Sequence, residues 1–115
     1  MIYNETIIME SDGDASIVMT ISVGTTILDE MVICLEETVY DNDVLPDHKT
    51  MAILDKDNQS ILAERLNIKP AGLKEHFVDK FSEGGYLSST SYVRAVFQQI
   101  LEYILDNGGK YRLKE

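Results

Sequence analysis

One cysteine, Cys34, and two histidines, His48 and His76, are the residues of this chain best suited to nucleophilic or metal chemistry. A nucleophile needs a base and an orienting group that can meet it in space, and no catalytic signature surrounds any of the three. Cys34 stands in an apolar stretch and reads as a small core residue, while His48, beside Pro46-Asp47, reads as an exposed turn residue. One cysteine and two distant histidines make a poor zinc set, because no local pair of soft ligands exists. Asp41-Asn42-Asp43 and Asp55-Lys56-Asp57 begin like calcium loops, yet neither has glycine at the sixth position or glutamate at the twelfth. Gly84-Gly85 and Gly108-Gly109 are isolated pairs that suit helix ends rather than a phosphate cradle. The expectation is a protein that is not an enzyme and takes no cofactor.

The charges are more informative than the nucleophiles. The chain has 115 residues, with 20 acids against 10 bases and 44% hydrophobic residues. That composition fits a single soluble domain over 1–115, large enough to hold a core without a disulfide or a metal. The first 48 residues hold eleven acids and no Lys or Arg, whereas residues 49–115 hold nine acids and all ten bases. An acidic front half repels phosphate and attracts basic surfaces. Asp12, Asp14, Asp41 and Asp43 are its candidates for a docking face or a mimic of nucleic-acid charge, and Asp41 and Asp43 are taken as partner-binding residues. No basic start followed by an unbroken apolar stretch opens the sequence, and no apolar run approaches the ~18–20 residues that span a bilayer. A cytoplasmic location and no membrane partner are expected.

These residues must be positioned by elements that the pattern suggests. Residues 2–9 and 15–23 are rich in Ile, Val, Met and Thr and flank Ser11-Asp12-Gly13-Asp14, which points to a β-hairpin. From Thr25 to Tyr40, Ile27, Leu28, Met31, Val32, Leu35 and Val39 recur at helical spacing, with Thr26 as cap and Asp29 and Glu30 in the first turn. A helix is the expectation there, although the β-branched run Val32-Ile33-Cys34 would also suit a third strand. An internal boundary is expected near 41–47, and 48–55 reads equally as a short helix or a strand. Asn58 is placed to cap a helix over 59–66, Pro70 to start another over 70–82, and Gly84-Gly85 to end it. After Ser88-Ser89-Thr90-Ser91, the stripe Val93, Val96, Phe97, Ile100, Leu101 and Ile104 predicts a helix that stops at Asn107-Gly108-Gly109. The alternating tail 110–114 suits a last strand.

Within that plan, Gln59 to Phe77 resembles the helix-turn-helix of AraC- and TetR-type regulators. Ala63 is small where the two helices would cross, Leu66 faces the shared core, and Asn67 sits where the chain must turn through positive φ. Ile68 plugs the turn, Pro70 starts the second helix, and Leu73 and Phe77 anchor it. The resemblance implies that Lys69, Ala71, Gly72, Lys74 and Glu75 are presented to a partner. Segment 59–83 carries four bases and four acids, where a DNA-contacting surface should be basic.

The fold expected is therefore α+β: an acidic N-terminal β-hairpin and helix, then a helical half with a helix-turn-helix-like pair. The function expected is that of a small acidic regulatory or adaptor protein that binds another protein through this pair. A DNA-binding regulator is one alternative. An acidic inhibitor, immunity or charge-mimic protein is a second, and a phage-type structural subunit that forms homo-oligomers is a third.

Overall fold

The structure, a computed structural model, describes residues 2–11, 17–39, 48–82 and 89–115. Five strands form one antiparallel sheet in sequence order: β1 (Tyr3–Glu10), β2 (Ile17–Thr25), β3 (Met31–Val39), β4 (His48–Leu54) and β5 (Arg112–Lys114). Between β4 and β5 the chain makes α1 (Lys56–Leu66), a single 3-10 turn (Pro70–Gly72), α2 (Leu73–Phe81) and α3 (Thr90–Asp106).

The α+β class stands, but the front half is not a hairpin followed by a helix. Residues 31–39 form a strand in the middle of the sheet, paired with β2 on one side and β4 on the other. Met31, Val32, Ile33 and Cys34 are all buried, so both faces of the first half of this strand are covered and the alternation that marks a half-exposed strand is lost there. What remains is an apolar run whose spacing happens to match a helix. Thr26 and Asp29, which suit a helix start, shape the tight turn between β2 and β3 instead. The Thr26 Oγ1 accepts from the backbone N–H groups of Leu28 and Glu30, both at 3.2 Å, and Asp29 takes a left-handed φ of 59°. Cap and turn use the same side-chain-to-backbone bonds, which is why the two readings compete. Residues 48–54 resolve as strand β4.

β1 and β2 pair as the expected hairpin, with register shifts on either side of Thr6 and Ile7. The second shift turns both Ile8 and Met9 inward. The Asp12-Gly13-Asp14 turn, the boundary at 41–47, and Gly84-Gly85 lie outside the described residues.

Helix α1 starts three residues before the expected position. Its cap is Asp55, whose carboxylate accepts from the Asn58 N–H at 2.8 Å and from the Asn58 amide at 2.9 Å. Asn58 is thereby the partner of the cap rather than the cap. Its Oδ1 also accepts from the Lys110 N–H at 2.9 Å, which ties the approach to β5 to the start of α1. α3 is capped by Ser89, whose Oγ accepts from the Tyr92 N–H. It stops at Asn107, where Gly108 at φ 83° lets the Gly109 N–H return to the Ile104 carbonyl.

The core lies between the sheet and the three helices. Met19, Ile21 and Val23 of β2, Met31 and Ile33 of β3, and Ala52 and Leu54 of β4 meet Leu62 and Ala63 of α1, Leu73 and Phe77 of α2, and all six residues of the α3 stripe. On each of these strands the core residues alternate, so every helix packs against the same face. Burial of each large side chain here contributes about 1.5–3 kcal/mol.

Candidate protein-binding surface

The opposite face of the sheet carries the other half of the alternation. Its positions are Val18, Thr20, Ser22 and Gly24 on β2, Val32, Cys34, Glu36 and Thr38 on β3, and Lys49, Met51 and Ile53 on β4. Among the described residues no helix covers it. Val32 is 1% exposed and Cys34 2%, yet neither belongs to the main core, so they and Ile53 form a small separate apolar strip.

Neighbouring side chains roof this strip. Arg112 is the register partner of Ile53 on β5, and its guanidinium reaches Glu30, just before β3, at 3.1 Å. β3 and β5 flank β4 on either side, about 9–10 Å apart, so the pair between Arg112 of β5 and Glu30 at the approach to β3 spans the end of β4. Lys49 pairs with Glu36 directly across the strands at 3.2 Å. On the β2 side Ile2 lies over Gly24, the register partner of Val32: a Cβ there would stand 2.5 Å from the Ile2 Cγ2 and 2.7 Å from the Tyr3 carbonyl oxygen. Burial pushes the Cys34 thiol up to about 11, and the carboxylates of Glu36 and Glu5 add to the effect while Lys49 opposes it. A thiol held protonated is not a nucleophile.

Beyond the strip, toward β1, the same face opens into a depression of about 690 Å³. Three carboxylates line it, Glu5 and Glu10 from β1 and Glu36 from β3. Between them stand the hydroxyls of Thr20, Ser22 and Thr38 and the aliphatic side chains of Ile7 and Val18. Ser22 donates to Glu5 and Thr20 to Glu10, each at 3.3 Å. Ile7 is 57% exposed, in the midst of the acids.

The helix pair is arranged differently. Asn67 adopts φ 58°, ψ 43° and ends α1, and the Ile68 N–H returns to the Ala63 carbonyl at 2.9 Å. The turn therefore has the backbone expected at that position. The second helix begins as the 3-10 turn with no side-chain cap, and only from Leu73 is it α-helical. Lys69, Ala71 and Glu75 are exposed, while Gly72 and Lys74 are half-buried. Ala71 and Lys74 line a groove whose far wall is Asn4, Thr25 and Asp29, and the Lys74 ammonium donates to the Asn4 carbonyl. The N-terminal end of this helix thus faces β1 and the β2–β3 turn of its own chain.

His76 is half-buried, with Nε2 2.8 Å from the Tyr103 hydroxyl and its ring stacked on the Tyr103 ring. Phe77, Phe81 and the Lys80 ammonium complete this cluster around Tyr103, whose hydroxyl burial holds above its ordinary pKa. Asp41 and Asp43 lie outside the described residues.

No protein-family model matches this chain, and no curated protein or solved structure matches it either. The site must be judged on its chemistry. Among the described residues no three His, Cys, Asp or Glu side chains come together so as to hold a metal ion, and no helix is long and apolar enough to cross a membrane. What the fold brings together is an open sheet face with acidic and aliphatic side chains. Sequence reasoning missed this set because Glu5, Glu10 and Glu36 share a face only through cross-strand register. The one available signal was the alternation Cys34, Glu36, Thr38, legible only once 31–39 is read as a strand.

Proposed function

We propose that this protein acts by binding, as a small acidic regulatory or adaptor protein, and that its docking surface for a basic protein partner is the open sheet face around Glu5, Glu10 and Glu36. The observation that carries this reading is the depression on that face, where three carboxylates surround an exposed aliphatic side chain. Carboxylates of this kind steer a basic partner into place, and Ile7 and Val18 offer apolar contact once it arrives. The partners of Glu5 and Glu10 among the described residues are hydroxyls, which a lysine or arginine would outcompete as charge-assisted donors.

The helix pair is the less favourable element for such a role. Ala71 and Lys74 face the groove beside β1, and the charges of segment 59–83 balance. Duplex binding through this pair would need Lys74 to leave the Asn4 carbonyl.

The test is a titration with a lysine- and arginine-rich peptide, beside a random DNA duplex, at two salt concentrations. Binding of the peptide should weaken as salt rises, and Glu5→Lys with Glu10→Lys should weaken it about tenfold or more. Reversal of Glu64 and Asp79, exposed acids on the helices, serves as the control. An equal loss in the control would remove the sheet face from the proposal. Tight duplex binding whose salt slope falls in Lys69→Ala and Lys74→Ala would replace it with DNA recognition.

A further inference from the structure

The end of the molecule where β2 turns into β3 carries two features that fit one another. The first is a knob. Ile27 is 80% exposed and Leu28 70%, more than any other large hydrophobic residue described. They sit at the tip of a turn that is held rigidly. The Thr26 N–H bonds the Glu30 carbonyl at 2.9 Å and the Asp29 N–H bonds the Thr26 carbonyl at 3.0 Å. From the helical layer, the Gln59 amide donates to the Asp29 carbonyl at 2.9 Å, and Lys56 pairs with the Asp29 carboxylate at 3.5 Å. A rigid tip loses little conformational entropy when it docks.

The second feature is a hole. Directly beside the knob lies the groove of about 610 Å³ between this turn and the start of the second helix. Met31, Pro70 and Ala71 supply its apolar walls, and Lys56 and Lys74 stand in its lining. Asp29 belongs to both features: it is part of the turn and it lines the groove.

We propose that this end is a self-association surface and that the occupant of the groove is a second copy of the chain, each copy seating Ile27 and Leu28 in the groove of the other. Because knob and hole lie side by side on one surface, a single two-fold rotation satisfies both and the assembly closes at two. Charge is compatible with this contact: Asp29 pairs with Lys56 and Glu30 with Arg112, and Lys74 lines the groove, so cations at this end offset part of the repulsion between two copies of a chain of net charge -10. The same net charge opposes insertion of the tip into an anionic bilayer. The surface is separate from the acidic sheet face, and the experiment below needs no partner protein.

Sedimentation velocity of the whole chain, from about 10 to about 500 μM at physiological salt, should show a monomer–dimer equilibrium with Kd on the order of 100 μM, as suits a small contact. Ile27→Asp with Leu28→Asp should stay monomeric with an unchanged thermal melt, since both side chains are exposed. Ala71→Gln, which sets a polar side chain in the groove wall, should also weaken the dimer about tenfold or more. A wild-type chain that stays monomeric throughout, or a dimer that persists in both variants, overturns the proposal. Co-sedimentation of the monomer with phosphatidylcholine–phosphatidylserine vesicles, lost in the aspartate variant, would overturn it in favour of a membrane-anchoring tip.

Discussion

The two faces of the sheet are cut from the same strands and solve opposite problems. On the covered face, residues from four strands and three helices share one apolar core, and the contribution of each depends on close packing. On the open face, the fully buried apolar residues are reduced to the strip of Val32, Cys34 and Ile53, roofed by ion pairs and by Ile2, while the rest mixes carboxylates and hydroxyls with partly exposed aliphatic side chains such as Ile7 and Val18. The first face holds the fold, and the second is the one proposed to meet a partner. Substitutions should therefore cost stability in proportion to how much of the covered face they touch.

The largest effect is expected at Phe97, fully packed between α3 and the sheet. Phe97→Ala should lower unfolding free energy by about 3–5 kcal/mol in a denaturant titration. A loss as small as that of an exposed site would break the comparison. Gly24→Ala comes next, from the open face. The added Cβ meets the Tyr3 backbone oxygen as well as Ile2, so β1 must shift, and a cost of about 1–3 kcal/mol is expected. At Asn67, Val should cost about 1–2 kcal/mol and Gly should be close to neutral, because only the left-handed φ is at stake. Equal losses for both would mean that the asparagine side chain matters.

The smallest effect at neutral pH belongs to Cys34. Its thiol is raised from 9.0 to about 11 in the folded chain, so the folded state holds the proton more tightly than the unfolded state does. The stabilisation is fully present below pH 9 and is lost as pH rises through about 11. Tyr103 and Lys49 are also raised and act with the same sign, so Cys34→Ser should reduce the alkaline loss of stability without abolishing it. Thiol reagents at neutral pH should react with Cys34 only on unfolding.

How much of this was legible beforehand depended on whether a pattern lay within one element. The α3 stripe was readable to the residue, since a helix with one covered face keeps its period in the chain itself. Asn67 was readable from the local chemistry of a tight turn. Residues 25–39 were not, because the buried first half of β3 erases its own alternation, and Thr26 and Asp29 serve a hairpin as well as a helix start. The acidic depression was further out of reach. Its carboxylates come from β1 and β3 and meet only across β2, so their grouping depends on register rather than on spacing.

Strand β5 joins the sheet only after the entire helical layer has been made. Until it arrives, the outer edge of β4 presents unpaired backbone groups beside Ala52 and Ile53, a template for pairing with any other extended chain. A chain that has made β4 but not yet β5 is thus exposed to aggregation at this edge, and the Lys110–Asn58 bond ties the approach of the closing strand to the start of α1. Once in place, Arg112 and Lys114 leave a short, charged edge that resists further growth of the sheet.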